Sequence, residues 1–301
     1  MLREERARAR GKQGISTLAV QNKGNKKVNE TKNSCSPQLS LKFIEREHVN
    51  YVEANIPSTL LNFSSSASPP SKPIQSTTIN GISYYSNWLT SKETNALKEA
   101  IYSSKQSKWV TLPTTGRKLQ QWGGIPGSTN VHERGPFPLP SYQNQLIQRM
   151  LSEEIFVNIP NHTLINQYLP NQGILPHKDG PAYYPKVAII SIGQEVIMSF
   201  RKTLKDEIPT QSVILENGSL IVFEKDAYNH YLHNINDSIV DTTFNKNILN
   251  AIMHSDTGDR TTGGDKKDGE NSARNGENCV QIIERTEERI SLTIRYVPPS
   301  K

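Results

Sequence analysis

From His162 to Asp226 the chain is a succession of short apolar segments broken by turn residues: HTLINQYLP, KVAIISIG, EVIMSFRK, SVILENG and SLIVFEKD. Segments of this length, rich in Ile and Val and bounded by Gly, Asn and Pro, predict strands. Ile190 and Ile192, then Val196, Met198 and Phe200, alternate with small or polar neighbours, which is the period of two of a pleated strand. Many short strands in close succession predict an antiparallel sandwich or jelly roll. Glu216-Asn217-Gly218-Ser219 predicts a hairpin between the last two segments. The pattern resumes in VQIIERTEERISLTIRYVP (Val280–Pro298), with Ile290, Leu292 and Ile294 on one face and Arg289, Ser291, Thr293 and Arg295 on the other.

Two helices are expected before these strands. Thr90-Ser91-Lys92-Glu93 is a capping box. It opens a helix over Ser91–Ser103 that carries Leu97, Ala100 and Ile101 on one side. YQNQLIQRMLSEEIF (Tyr142–Phe156) is the second, with Leu146, Ile147, Met150 and Leu151 apolar. ISYYSNWLT (Ile82–Thr90) reads as an aromatic strand ahead of them. The fold class is therefore mainly β with flanking helices (α+β), around a jelly-roll core.

An apolar content of 34% and a mean hydropathy of −0.60 are low for 301 residues folded throughout. Two polar stretches account for the dilution. Residues 1–76 are rich in Ser, Asn, Lys and Pro and are expected to form a disordered tail, within which Leu41–Val52 fits a short helix or a strand equally. Residues 241–278 contain DTGDRTTGGDKKDGENSARNGEN and are expected to be a disordered insertion in a domain spanning 77–301. The net charge of +6 lies in residues 1–33, which hold nine Lys or Arg and three acids; the remainder holds 26 of each sign. A basic arm suits a solvated leader, a contact to nucleic acid or a nuclear address.

Cys35 and Cys279 supply no disulfide framework and no Cys-based zinc site, which fits a reducing compartment. The charged N-terminus has no apolar h-region, and runs such as VAII and LIVF are far too short to span a bilayer. The expectation is a soluble monomer of cytoplasm and nucleus.

The chemistry concentrates in LINQYLPNQGILPHKDGPAYYP (Leu164–Pro185). His177 and Asp179 are two residues apart, so on an extended strand both side chains share a face. Two His and one carboxylate with open positions form the facial triad of non-haem Fe(II) oxygenases. The third ligand must come from a later strand, where His230, His233 and His254 are candidates. His254 falls in the expected insertion, and His233, after Leu232 and before Asn234-Ile235, is better placed on a returning strand than His230. Such a triad leaves three iron sites, of which a 2-oxo acid can chelate two and O₂ take the third. The far carboxylate of that acid then needs a buried cation, and Arg suits best because its fork is bidentate and always charged. Arg289 and Arg295 share a strand face roughly 20 Å apart by strand rise. Asn166 and Tyr168, another i, i+2 pair just before His177, offer hydrogen bonds to carboxylate oxygens. Gly116-Arg117 and Trp122-Gly123-Gly124 either form a lid that stacks on a planar ligand through Arg117 and Trp122, or a hairpin whose Trp fills the core edge.

Asn166-x-Tyr168, then His177-x-Asp179, His233 and the Arg289-x5-Arg295 of RISLTIR together resemble the AlkB family of Fe(II)/2-oxoglutarate dioxygenases. GRKLQQWGG, HKDGPAYYP and SLTIRYVP extend the likeness, which covers about Ile82 to Val297. The resemblance implies a double-stranded β-helix core, with Fe(II) on His177, Asp179 and His233. It also implies 2-oxoglutarate on Asn166, Tyr168, Arg289 and Arg295, the two arginines serving its opposite ends. Oxidation of a C–H bond would then accompany conversion of 2-oxoglutarate and O₂ to succinate and CO₂. Three positions depart from the family pattern. Pro181 stands where AlkB-type DNA repair enzymes carry a second acid near the flipped base, Ser291 stands where the family has Asn, and the polar insertion is longer. The implied substrate is an alkylated base in single-stranded or base-flipped nucleic acid. A protein or small-molecule substrate is the next reading, and a non-catalytic nucleic-acid binder the third.

Overall fold

The computed structural model describes residues 72–103, 109–124, 138–244, 246–251 and 280–299. In chain order the elements are β1 (Ile74–Gln75), β2 (Ile82–Tyr85), α1 (Ser91–Ser103), β3 (Val110–Thr111), β4 (Lys118–Gly123), α2 (Ser141–Ser152), β5 (His162–Tyr168) and β6 (Ile174–His177). There follow β7 (Lys186–Gly193), β8 (Val196–Arg201), β9 (Gln211–Leu215), β10 (Leu220–Glu224), α3 (Lys225–Asn229), β11 (Leu232–Ile235), β12 (Val240–Thr242), β13 (Ile282–Glu284) and β14 (Arg289–Arg295).

Eight strands form a major antiparallel sheet in the order β1-β2-β10-β7-β14-β5-β4-β3, and four form a minor sheet in the order β6-β11-β8-β9. The two sheets enclose one apolar layer, built from Ile82, Tyr84, Val187, Ile189, Met198, Phe200, Leu215, Ile221 and Phe223. The outer face of the major sheet carries a second layer, in which Ala188, Ile190, Ile192, Ile290, Leu292 and Ile294 meet the helices. Both faces of β7 are thus buried, which is why its sequence is a nearly continuous apolar run. On β14 the faces differ: the isoleucines and Leu292 meet the helices, and the polar set looks between the sheets. This is a jelly-roll core with helices on one flank.

The capping box closes α1 as its sequence predicts. The Thr90 amide donates to Glu93 Oε2 at 2.7 Å, and the Glu93 amide donates to Thr90 Oγ1 at 3.2 Å. Leu97 and Ile101 are fully buried on the sheet, so truncating either to Ala removes about 2–5 kcal/mol. The second helix, α2, likewise buries Leu146, Ile147 and Met150.

The structure revises the expected strand and segment boundaries. The strand expected over Ile82–Thr90 ends at Tyr85; Asn87 adopts φ 51°, and Trp88 and Leu89 turn into the helix-side core. The Asn217-Gly218 turn is no hairpin, because β9 pairs with β8 and β10 with β2 and β7. It carries the chain from one sheet to the other. Gly218 there has φ 78°, and a Cβ would stand 2.5 Å from the Leu89 carbonyl oxygen. Local turn chemistry fixes the bend but does not decide whether the flanking strands pair.

Parts of both segments expected to be disordered belong to the fold. Ile74–Gln75 belongs to β1 and pairs with β2, so residues 72–76 are part of the fold; the rest of the expected tail lies outside the described residues. Residues 241 and 242 belong to β12, which pairs with β13. The Asp241 carboxylate accepts from the Ile197 amide and from Arg285 Nε and Nη2, and Asn250 brackets Ile214 by bonding its amide N–H and its carbonyl. These polar residues are buried and bonded, whereas polarity in the sequence had suggested solvent. Residues 252–278 of the expected insertion lie outside the described residues, as does His254. No helix among the described residues is long and apolar enough to cross a membrane.

Candidate active site

The pocket lies between the sheets. Period two on β5 and β14 sends Leu164, Asn166 and Tyr168, and Arg289, Ser291, Thr293 and Arg295, into it. Register sets them side by side: Arg289 opposite Tyr168, Ser291 opposite Asn166, Thr293 opposite Leu164. The minor sheet closes the pocket with His177, His233, Ile174, Met198 and Ile235.

His177 ends β6 and is paired in register with His233 on β11. Their rings are 4.3 Å apart between centroids, and the ligand atoms of His177, Asp179 and His233 all lie within 4.8 Å of one another. His177 Nδ1 is 2.8 Å from the Leu175 carbonyl oxygen, to which it donates, leaving the Nε2 lone pair for a metal. Burial pushes the His233 imidazole down to about 3, and neighbouring His177 pushes the same way, so the ring is neutral and able to ligate. His177 is also lowered, chiefly by burial. Burial alone would raise the Asp179 carboxyl, but the charge and hydrogen bonds of Arg295 outweigh it and hold it below the usual carboxylate range. Two neutral imidazoles and one carboxylate are the donor set suited to Fe(II). His230, by contrast, has a side chain 70% exposed, with Asp226 at 4.0 Å.

The loop bearing Asp179 is tethered from both sides. Lys178 Nζ donates to the Asn229 carbonyl at 2.7 Å, and the Tyr228 hydroxyl donates to the Gly180 carbonyl at 3.1 Å. Arg295 grips both oxygens of Asp179, Nε to Oδ2 at 3.1 Å and Nη2 to Oδ1 at 2.7 Å. The Tyr183 ring stacks on Arg295, with its centroid 4.7 Å from Cζ. At this end the sequence reading missed His162. It lies on the same face of β5 as Asn166 and Tyr168, opposite Arg295, and is buried against Tyr183. The i−4 position from Asn166 on a period-two strand was the available signal.

The other end is built differently. Arg289 is 2% exposed, and its Nη2 donates to Ser191 Oγ at 2.9 Å. Its Nε and Nη1 have no partner, and no carboxylate among the described residues pairs with it. Burial pulls its pKa down to about 10, which leaves it charged at neutral pH. A buried cation without a counter-ion is costly, and an anionic ligand removes the cost. Asn166 Oδ1 is also buried without a partner.

The expected lid of Arg117 and Trp122 does not form. Trp122 is fully buried in the helix-side core, because β4 pairs with β5 so that Trp122 lies opposite Thr163 on the face away from the pocket. Arg117 does reach the pocket, at the Arg289 end: its Nη1 donates to the Tyr168 hydroxyl at 3.2 Å. Trp122 lies on β4 and Arg117 in the turn before it, so the two side chains part.

Residues 90–295 match the model of the 2OG-Fe(II) oxygenase superfamily. The chain belongs to this superfamily. Among individual relatives, a Danio rerio protein named "Probable RNA/DNA demethylase ALKBH6" is 27% identical over 226 residues, 71% of this chain and 85% of that protein. "Uncharacterized protein L905" of Acanthamoeba polyphaga mimivirus is 29% identical over 160 residues, 52% of this chain and 73% of its own. The Macaca fascicularis "tRNA (carboxymethyluridine(34)-5-O)-methyltransferase ALKBH8" is 30% identical over 138 residues, 44% of this chain but 20% of that protein. Within the superfamily this oxygenase is of the AlkB type, an oxidoreductase that uses Fe(II), 2-oxoglutarate and O₂.

Proposed function

We propose that His177, Asp179 and His233 hold the iron, that Asn166, Tyr168, Arg289 and Arg295 receive 2-oxoglutarate, and that the substrate is an alkylated base in nucleic acid. The observation that carries this reading is the Arg289 guanidinium, without a carboxylate partner among the described residues, in a cavity lined by His177 and His233, with Asp179 clustered beside them. Iron bound there supplies the activation of O₂ that couples decarboxylation of the 2-oxo acid to oxidation of a substrate C–H bond. The protein's own residues do the rest. Leu175 fixes the His177 tautomer, Arg295 fixes the carboxylate of Asp179, and Ile174, Ile189 and Met198 keep that part of the cavity apolar. When the oxidised carbon is an N-methyl, the hydroxylated product collapses to formaldehyde and the demethylated nitrogen.

The names of the relatives, an RNA/DNA demethylase and a tRNA-modifying enzyme, support a nucleic-acid substrate. The basic residues 1–33 would add salt-sensitive contact to phosphates. Pro181, where repair enzymes of the family carry an acid, favours a second reading, a protein or small-molecule substrate.

The test is succinate release with Fe(II) and 2-oxoglutarate, together with mass spectrometry of a panel of methylated nucleosides, oligonucleotides and peptides. The expected outcome is substrate-stimulated succinate from wild type, none from His177→Ala, and loss of 14 mass units from a nucleic-acid member of the panel. Equal succinate from both proteins overturns the site, and turnover confined to peptides overturns the substrate.

A further inference from the structure

Among the described residues that line the cavity, Arg117 is the one charged group that the reading above leaves without a task. Its position is set by the β3–β4 turn. The Leu112 amide donates to the Arg117 carbonyl at 2.8 Å and the Gly116 amide donates to the Leu112 carbonyl at 2.9 Å, with Gly116 at φ 67°. From that turn the guanidinium reaches inward to the Tyr168 hydroxyl and, at 3.4 Å, to the Gly173 carbonyl. Its Cζ lies 5.0 Å from the Tyr168 ring centroid, and Arg289 Cζ lies 5.3 Å from the same centroid. Two guanidinium groups therefore converge on one ring.

Neither has a carboxylate partner among the described residues. Arg117 Nε is buried without a partner, as are Arg289 Nε and Nη1. Three nitrogen atoms without a partner and two like charges thus sit at one end of the cavity. Cation–π contact with Tyr168 returns only about 0.5–2 kcal/mol each, less than the cost of burying unpaired charge. At the opposite end Arg295 is already neutralised by Asp179. A carboxylate has about four acceptor sites and can take bonds from two guanidinium groups at once.

We propose that Arg117 and Arg289 together clamp the far carboxylate of the cosubstrate beside Tyr168, and that Arg117 thereby selects a dicarboxylic over a monocarboxylic 2-oxo acid. This rests on the reading of the cavity as the 2-oxoglutarate site. The second arginine makes that end accept a full negative charge where an aliphatic tail would leave two cations facing each other. It also extends the donor set beyond the strand that carries Arg289, so that selectivity depends on a turn remote in sequence from the other cosubstrate residues.

The test is calorimetric titration of anaerobic, iron-loaded protein with 2-oxoglutarate and with 2-oxopentanoate, which has the same chain length and a methyl in place of the far carboxylate. No turnover is required. Arg117→Met is expected to weaken 2-oxoglutarate by about 10- to 100-fold, the loss of charge-assisted bonds, and to change 2-oxopentanoate by less than about twofold. Arg117→Lys, which keeps the charge but not the fork, is expected to fall between. Wild-type affinity for 2-oxoglutarate in Arg117→Met overturns the clamp and leaves the site itself standing. An equal loss for both acids also overturns it, because Arg117 would then only support the fold. Failure of wild type to bind 2-oxoglutarate at all overturns both this inference and the function on which it rests.

Discussion

Arg289 and Arg295 stand six residues apart on one face of one strand, both are buried, and they have opposite situations. Arg295 is locked to both oxygens of Asp179 and stacked on Tyr183. Among the described residues Arg289 bonds a serine hydroxyl and lies over the face of a tyrosine, and two of its nitrogens have no partner. Arg295 already has a carboxylate partner within the protein, whereas Arg289 has none among the described residues. Two such guanidinium groups look identical in sequence, and only their partners tell them apart.

That contrast can be broken by treating the two residues alike. The largest effect is expected at Arg295→Met, which leaves the buried Asp179 carboxylate alone. Thermal or denaturant unfolding should show a loss of about 3–5 kcal/mol, the usual result of removing one partner of a buried pair. Fe(II) affinity, read by competitive chelation, should fall by about 10- to 100-fold, because a support of the ligating carboxylate is gone. Arg289→Met is expected to leave the stability of the ligand-free protein within about 1 kcal/mol of wild type, since it removes a charge that had no partner. Its 2-oxoglutarate affinity should drop by on the order of 100-fold. Equal destabilisation by the two substitutions would show that the contrast does not describe the energetics.

A slope in pH sharpens the Arg295 end. Burial, first of all, lowers both His162 and His233 to about 3, with Arg295 adding to the shift of each. A depressed folded pKa means that the unfolded chain takes up protons the folded one refuses. Stability from these two residues is complete above their ordinary value near 6.5 and is lost progressively as pH falls towards 3. His162→Leu should therefore make the acid decline of metal-free protein shallower by about 1.4 kcal/mol per pH unit, one proton's worth. An unchanged slope would place His162 in water.

Much of this site was legible because its logic is periodic. Asn166 and Tyr168 and the polar face of RISLTIR follow from side chains alternating along strands, and the helix of Ser91–Ser103 follows from its capping box; Asp179, expected on a strand with His177, instead lies in the loop just past β6 and is held there by Arg295. What stayed hidden depended on pairing between distant strands. Trp122 and Arg117 share a short segment, yet the β4–β5 register turns one to the helices, while the turn before β4 sends the other to the cavity. Asp241 and Asn250 belong to a stretch whose composition signals solvent, and their burial is visible only once Arg285 and the backbone of Ile197 and Ile214 are beside them. Asn217-Gly218 encodes a bend, and sheet membership decides that the bend crosses layers.

The strand that presents His177 has one further consequence. It is four residues long, lies at the edge of the minor sheet and has β11 as its only neighbour there, and its pairing slips between His233 and Ile235. Such a margin frays before the centre of the sheet does. A metal ion held by His177 and His233, as proposed, would fasten this edge strand to the one beside it. Opening of this edge would then release the ion, so amide exchange along Ile174–His177 and the rate of metal loss should rise and fall together.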